Sequence, residues 1–318
     1  MMEGMPAARH TLRTRLLMAG AFVGAILALS LSWVFSLDEG SQPQQASASE
    51  RARAEAFHAP PGSCLSWSKP RAADAHIVPC SEPHLFEVTS VQNISKQYPP
   101  KAKPPDLEQW RKLSDKLCTT NIEKYLGEPL DPYGRYSLNI LRPTSQQWAD
   151  GERAVRCGLQ RTGPGGSLLP TTGHAAEQPQ SSVFEPGTCL GLKGKAVGDP
   201  VDCAKPHAYE IVATLDLTEQ FKFTDGYPPA EDQEAWLDKE CNAALKTYTG
   251  GADLSDKGLS LGWDVVKEES WSAGSTKVNC YVGKPLDDGS GLAPITGSIK
   301  KPAPSSASST PPSSTDGK

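Results

Sequence analysis

Apolar and polar positions divide the chain before any motif is considered. Leu16 to Leu37, LLMAGAFVGAILALSLSWVFSL, runs without a charged residue. At about 1.5 Å of rise per residue this stretch reaches about 33 Å, enough to cross a bilayer core, and it predicts a transmembrane helix over 16–37. From 38 to 61 the chain is rich in Gln, Ala, Ser and Glu with no sustained apolar period, as in a flexible tether. His84 to Val91, HLFEVTSV, has the composition and turn-rich flanks of a strand. Apolar residues at 107, 110, 113, 117, 122 and 125 predict a helix, with Asp106 placed to cap its start and Gly127 following its end. RYSLNILRP and RAVRCGLQR then predict two further strands.

The same order returns downstream. A helical stripe of Leu237, Cys241, Leu245 and Tyr248 corresponds to the first helix, and CAKPHAYEI at Cys203 corresponds to CSEPHLFEV at Cys80. Cys80 to Cys118 and Cys203 to Cys241 are both 38 residues, and Cys118 to Cys157 and Cys241 to Cys280 are both 39. WADGERAVRC faces WSAGSTKVNC, pairing Trp148 with Trp271 and Gly151 with Gly274, and GSCL at Gly62 faces GTCL at Gly187. Recurrence at a fixed period signals duplicated units. The expected fold class is therefore α+β: an N-terminal transmembrane helix, then two tandem, duplicated small α+β modules at 62–161 and 187–284. The turn-formers at 162–186 read as a linker, and the Pro/Ser/Thr-rich stretch at 285–318 as a disordered tail.

Charge gives the expected topology. Residues 1–15 carry three Arg against one Glu, and Asp38 and Glu39 follow the apolar run, so the positive-inside bias leaves the N-terminus cytoplasmic. The rival reading is a cleaved signal peptide, with an unusually long apolar core and its nearest small-residue cleavage pattern far downstream. Fifteen residues are too few to fold, which assigns the work of the protein to the far side of the membrane. The expected location is the cell membrane, in a single pass with the main domain extracytoplasmic, and the lipid bilayer is the partner of residues 16–37. A net charge of −5 for the chain leaves −7 beyond residue 15, which gives no basis for nucleic-acid binding.

All eight cysteines, Cys64, Cys80, Cys118, Cys157, Cys189, Cys203, Cys241 and Cys280, follow the apolar run. An even set in that position reads as two disulfides per module in an oxidising compartment. Each set of four allows three pairings; the expectation is first with second and third with fourth, which ties the helix to the last strand. A small module gains from such staples: closing a loop of about 17 residues is worth roughly 3 kcal/mol, and one of about 40 residues roughly 4 kcal/mol. No C-x2-C pair supports zinc, and no cofactor is expected.

The residues with candidate chemistry are Pro83, His84 and Glu87 in one module and Pro206, His207 and Glu210 in the other. His and Glu three apart share the face of a helix, but on a strand they alternate, so each pair is expected to point apart. The frame reading follows, in which these residues specify the fold. The alternative is an extracytoplasmic metal binder or enzyme using the two Pro-His-x-x-Glu elements. Trp148 and Trp271, each just before a turn glycine, read as lids on the core. LPTTG at Leu169 matches the pentapeptide cut by sortases, but such signals end a chain, and here a second module follows. No nucleophile elbow, Walker or zincin run occurs.

With PTSQQWADGERAVRC from Pro143 to Cys157 and CSEPHLFEV upstream, the chain resembles the septum-formation family of actinobacterial membrane proteins. The second module keeps Cys203, Pro206, His207, Glu210, Trp271, Gly274 and Cys280, but has Val266 in place of the proline. The resemblance implies a membrane-anchored binding or scaffold protein of the bacterial envelope, linked with septum formation or cell division, whose partners are cell-division or cell-wall components. It supplies no reaction and no catalytic residue, and the expectation is a protein that is not an enzyme.

Overall fold

The computed structural model describes residues 47–254 and 257–301, and the described residues from Ala52 to Lys301 belong to one compact unit. The expected transmembrane helix at 16–37 and the part of the expected tail beyond Lys301 lie outside the described residues. Among the described residues, no helix is long and apolar enough to cross a membrane.

After a lead-in helix α1 (Ala48–Phe57), the first module runs β1 (Cys64–Ser66), β2 (His76–Val78), β3 (Phe86–Asn93), α2 (Leu107–Leu126), β4 (Tyr136–Leu141), α3 (Ser145–Ala149), β5 (Ala154–Thr162) and β6 (Leu168–Leu169). Its antiparallel sheet has the order β2-β1-β3-β5-β4, with β6 on β5. The second module runs β7 (Cys189–Lys193), β8 (Ala196–Val201), β9 (Tyr209–Asp216), α4 (Ala230–Thr249), β10 (Ser260–Trp263), α5 (Glu268–Ser272), β11 (Lys277–Pro285) and β12 (Leu292–Ala293). Its sheet, β8-β7-β9-β11-β10 with β12 on β11, repeats the first strand for strand.

Helix α2 starts at a capping box: the Asp106 carboxylate accepts from the Gln109 amide, while the Gln109 side chain accepts from the Asp106 amide. It stops at Gly127, whose φ of 79° is a left-handed cap that glycine adopts without strain. The buried stripe sits slightly off the expected one. Trp110, Leu113, Ser114, Cys118, Ile122 and Leu126 face inward, whereas Leu107 at the first turn is 77% exposed. In α4 the inward residues are Gln233, Leu237, Cys241 and Thr249.

The disulfides are Cys64–Cys80, Cys118–Cys157, Cys189–Cys203 and Cys241–Cys280, first with second and third with fourth in each module. The longer two join α2 to β5 and α4 to β11, and all four of those cysteines are buried in the helix–sheet core. Trp148 and Trp271 close that core at 6% and 2% exposure, each followed by a glycine in left-handed backbone, Gly151 (φ 96°) and Gly274 (φ 82°).

The stretch read as a linker, 162–186, and the first part of the stretch read as a tail, 285–301, belong to the fold. Each supplies a sheet-edge strand, β6 or β12, and then an isolated bridge back to the buried histidine, His84 with Thr171 and His207 with Ile295. Gly173 N–H donates to Cys80 O at 2.6 Å and Gly297 N–H to Cys203 O at 2.8 Å, so both segments run the same course. Gln180 then joins the modules. Its side-chain amide donates to Glu128 Oε1, Pro129 O and, at 3.4 Å, Ala273 O of the second module, and its Oε1 accepts from Asp131 N–H.

The chain-entropy picture gives a direct expectation. Replacing both Cys241 and Cys280 by alanine removes a 39-residue crosslink and should lower stability by about 4 kcal/mol, read from urea unfolding against the intact chain.

Candidate functional site

The Pro-His-x-x-Glu elements lie at the start of β3 and β9, and their side chains do not separate as the strand rule predicts. Regular pairing begins only at Phe86, after a bend at Leu85, so His84 precedes the alternation. His84, Glu87 and Cys64 consequently bring their polar atoms within 4.8 Å of one another, as do His207, Glu210 and Cys189. The expectation that His and Glu face apart is thus corrected by the bend. Register supplies the third member, since Cys64 stands opposite Glu87 and Cys189 opposite Glu210.

Both glutamates are buried, at 2% and 0% exposure, and a buried carboxylate must be matched by donors. Glu87 accepts from the Tyr125 hydroxyl on α2, from His174 Nδ1–H at 2.9 Å and from the Ala175 amide at 2.7 Å. Glu210 accepts from the Tyr248 hydroxyl on α4 at 2.6 Å, from the Ser298 hydroxyl at 2.5 Å and from the Ile299 amide at 2.8 Å. One carboxylate therefore ties three elements together: the inner strand, the helix, and the chain that returns after the last strand. Burial first, then the hydrogen bond to Glu87 and its charge, raise the Tyr125 phenol well above its ordinary value, and the same causes act on Tyr248 through Glu210.

The histidines lie alongside. His84 Nδ1–H donates to Glu82 O at 2.9 Å and Nε2 accepts from the Thr171 hydroxyl at 3.2 Å. His207 Nδ1–H donates to Lys205 O at 2.8 Å, but Ile295 replaces the threonine and leaves Nε2 buried without a partner. The cysteine of each cluster is held in a disulfide and offers no thiolate. The donor sets are thus engaged in hydrogen bonds within each module. Pro83 and Pro206, exposed at the turn before each histidine, lead the chain into this arrangement.

His174 and Ser298, with the backbone amides that follow them, were outside the sequence reading. The signal was present: LLPTTG at Leu168 recurs as LAPITG at Leu292. The first copy resembles a sorting pentapeptide and the second lies in a stretch whose composition suggests disorder. The structure makes both the approach to the buried glutamate.

A second feature lies on the opposite face of the second sheet, where a cavity of about 350 Å³ opens beside the first module. Its floor is aromatic: Tyr209 and Tyr281 stack with ring centroids 4.1 Å apart and planes 24° apart. Glycines make room for both rings. A Cβ on Gly283 would meet Tyr209 at 2.5 Å, and one on Gly262 would meet Tyr281 at 2.7 Å. Asn279, 4% exposed, donates to Asp264 Oδ2 at 2.6 Å. The far wall is Tyr133 of the first module, with Lys267 Nζ 3.7 Å from its ring centroid. Ser275, 2% exposed, stands among the lining residues, with its hydroxyl buried and without a protein partner.

These features define a pair of disulfide-closed α+β modules sharing one frame, with a polar-aromatic cleft where they meet. The chain belongs to the Septum formation family, which it matches over residues 61–280. Two relatives from Mycobacterium tuberculosis, in strains CDC 1551 and H37Rv, each carry the name uncharacterized membrane protein. Each is 33% identical over 247 residues, covering 75% of this chain and 54% of the relative. The chain therefore spans about half the length of the curated relatives it matches. No solved structure matches it.

Two outcomes are expected from the carboxylate node. Glu210→Gln turns one acceptor into a donor facing donors and should cost about 1–3 kcal/mol in urea unfolding, as should Glu87→Gln. The raised phenols set an alkaline limit. Their contribution is complete below the ordinary phenol value of 10.0 and is lost as pH rises toward the folded values, so stability should fall above about pH 10. Tyr125→Phe with Tyr248→Phe should flatten that fall, which a denaturation series across pH would detect.

Proposed function

We propose that the protein is a membrane-tethered, extracytoplasmic binding or scaffold component of the bacterial envelope, working in septum formation. The observation that carries this reading is the use of all eight cysteines in disulfides within a chain of the Septum formation family. Disulfides of this kind persist in oxidising compartments beyond the cytoplasmic membrane. The uncharged run at 16–37 would supply the single-pass tether, with Arg9, Arg13 and Arg15 holding the N-terminus inside. The names of the mycobacterial relatives agree with a membrane location.

A binding or scaffold role suits a body whose titratable cluster is given to its own closure. Glu87 and Glu210 already accept from three donors each, and neither cluster offers a free thiolate to a metal. The recurring frame in turn suggests a duplicated ancestral unit whose two copies now differ at the surface. Partners in this reading are cell-division or cell-wall components together with the bilayer.

A fluorescent fusion at the cytoplasmic N-terminus is expected to concentrate at division sites, and depletion should delay or misplace septa. Even distribution around the cell, together with normal septa after depletion, would remove the septal assignment. Labelling of the eight cysteines in intact cells should find no reduced thiol before unfolding and reduction.

A further inference from the structure

We propose that the cleft on the outer face of the second sheet is a binding site for a neutral saccharide. This goes beyond the septal reading, because it assigns a ligand rather than a place in the cell.

Comparison of the two modules shows why the cleft exists. Sheet register makes Leu65, Phe86, Val88, Leu141 and Arg156 of the first module the counterparts of Leu190, Tyr209, Ile211, Asp264 and Asn279. In the first module this face is covered by the chain leading into β1. Ala56 and Ala59 pack on Leu65, Phe86 and Val88, and the Phe57 ring lies 4.5 Å from the Arg156 guanidinium. The lead-ins join their sheets identically: Gly62 N–H donates to Val88 O at 2.7 Å and Gly187 N–H to Ile211 O at 2.8 Å. Counting back from those glycines, Ser182 stands where Phe57 stands. The second lead-in therefore lacks the ring that fills the first face. Its own aromatic, Phe184, lines the edge of the opening and lies against Arg161, 4.8 Å away.

The accompanying replacements indicate what the opening receives. Phe86 becomes Tyr209, Leu141 becomes Asp264 and Ala56 becomes Ser181, while Gly158 becomes Tyr281. Each of these changes adds a hydrogen-bonding group, and the aromatic area grows. An apolar peptide anchor would gain nothing from them. The charged lining residues, Asp131 and Asp264 against Lys267 and Lys277, balance, so an ion has no preference for the site. A sugar ring meets these conditions. Its C–H face packs on the stacked tyrosines, and its hydroxyls donate to the Asp264 carboxylate. A volume of about 350 Å³ lies within the range of small-ligand sites.

The test is a calorimetric and saturation-transfer NMR titration of the full-length chain, kept in a sugar-free detergent. The probes are glucose, N-acetylglucosamine and the β-1,4-linked trimer of each, alongside a peptide of residues 50–61, which holds the first module's own filler. Saturable binding of at least one sugar is expected, weakened about tenfold by Asp264→Asn. Binding should be lost in Ser182→Phe, which restores the missing ring, with an unfolding midpoint equal to or above that of the unaltered chain. If Ser182→Phe does not fold, Tyr281→Gly, which copies Gly158, should give the same loss. The inference is overturned if no sugar binds at millimolar concentration, if binding persists undiminished in these variants, or if the peptide binds and the sugars do not. Failure in any of these ways leaves the septal assignment standing.

Discussion

A carboxylate taken out of water must collect donors, and each module is organised around one that does. Glu87 and Glu210 sit opposite the first cysteine of their sheets and draw on the helix, through Tyr125 or Tyr248, and on the returning chain, through Ala175 or Ile299. The long disulfide fixes helix to sheet beside this node, and the short disulfide fixes the turn that brings the histidine alongside. Removing one partner of such a cluster leaves the others buried without matches, which is why the arrangement specifies one fold more strongly than its hydrogen-bond count suggests. Small domains with modest cores depend on such devices.

The two modules share this frame and part company on their outer faces. In the first, Ala56, Phe57 and Ala59 cover the sheet, and Arg156 stacks on the ring. In the second, the corresponding lead-in carries Ser181 and Ser182, and its backbone bonds Asn279, through Phe184 N–H and Ser182 O, and the first module, through Gln180 O and Val183 O. Closure is thereby confined to one face of each sheet. The helix side of each sheet holds the staples and the carboxylate, and the other side is free to vary. A rigid body can be kept on such terms while one face diverges.

Much of this frame was legible because it repeats. Equal cysteine spacings, paired Trp and Gly positions and the cap signals around 106–127 pointed to the helix and the main strands. The pairing of the thiols rested on the expectation that a staple ties the helix to the last strand. The short hairpins β1–β2 and β7–β8 carried too little period to see. The relation of His84 to Glu87 was misjudged because period-two alternation assumes an unbroken strand, and a bend at Leu85 interrupts it. The returning segments were missed for a compositional reason. Gly, Pro, Ser and Thr look the same whether they supply a disordered stretch or an ordered path whose amides and hydroxyls serve a buried acid. Nor could the cleft be read, since it is created by a missing ring five residues before Gly187 and depends on sheet register.

The central claim is that the buried glutamate closes each module by holding the chain that returns after its last strand. Native-state hydrogen exchange at the amides of Ala175 and Ile299 tests it most directly. The account predicts slow exchange at both, comparable with the inner strands, and a collapse of protection at Ile299 alone when Glu210 becomes Gln. Exchange at Ile299 as fast as in an unstructured peptide, with the inner strands still protected, would contradict it.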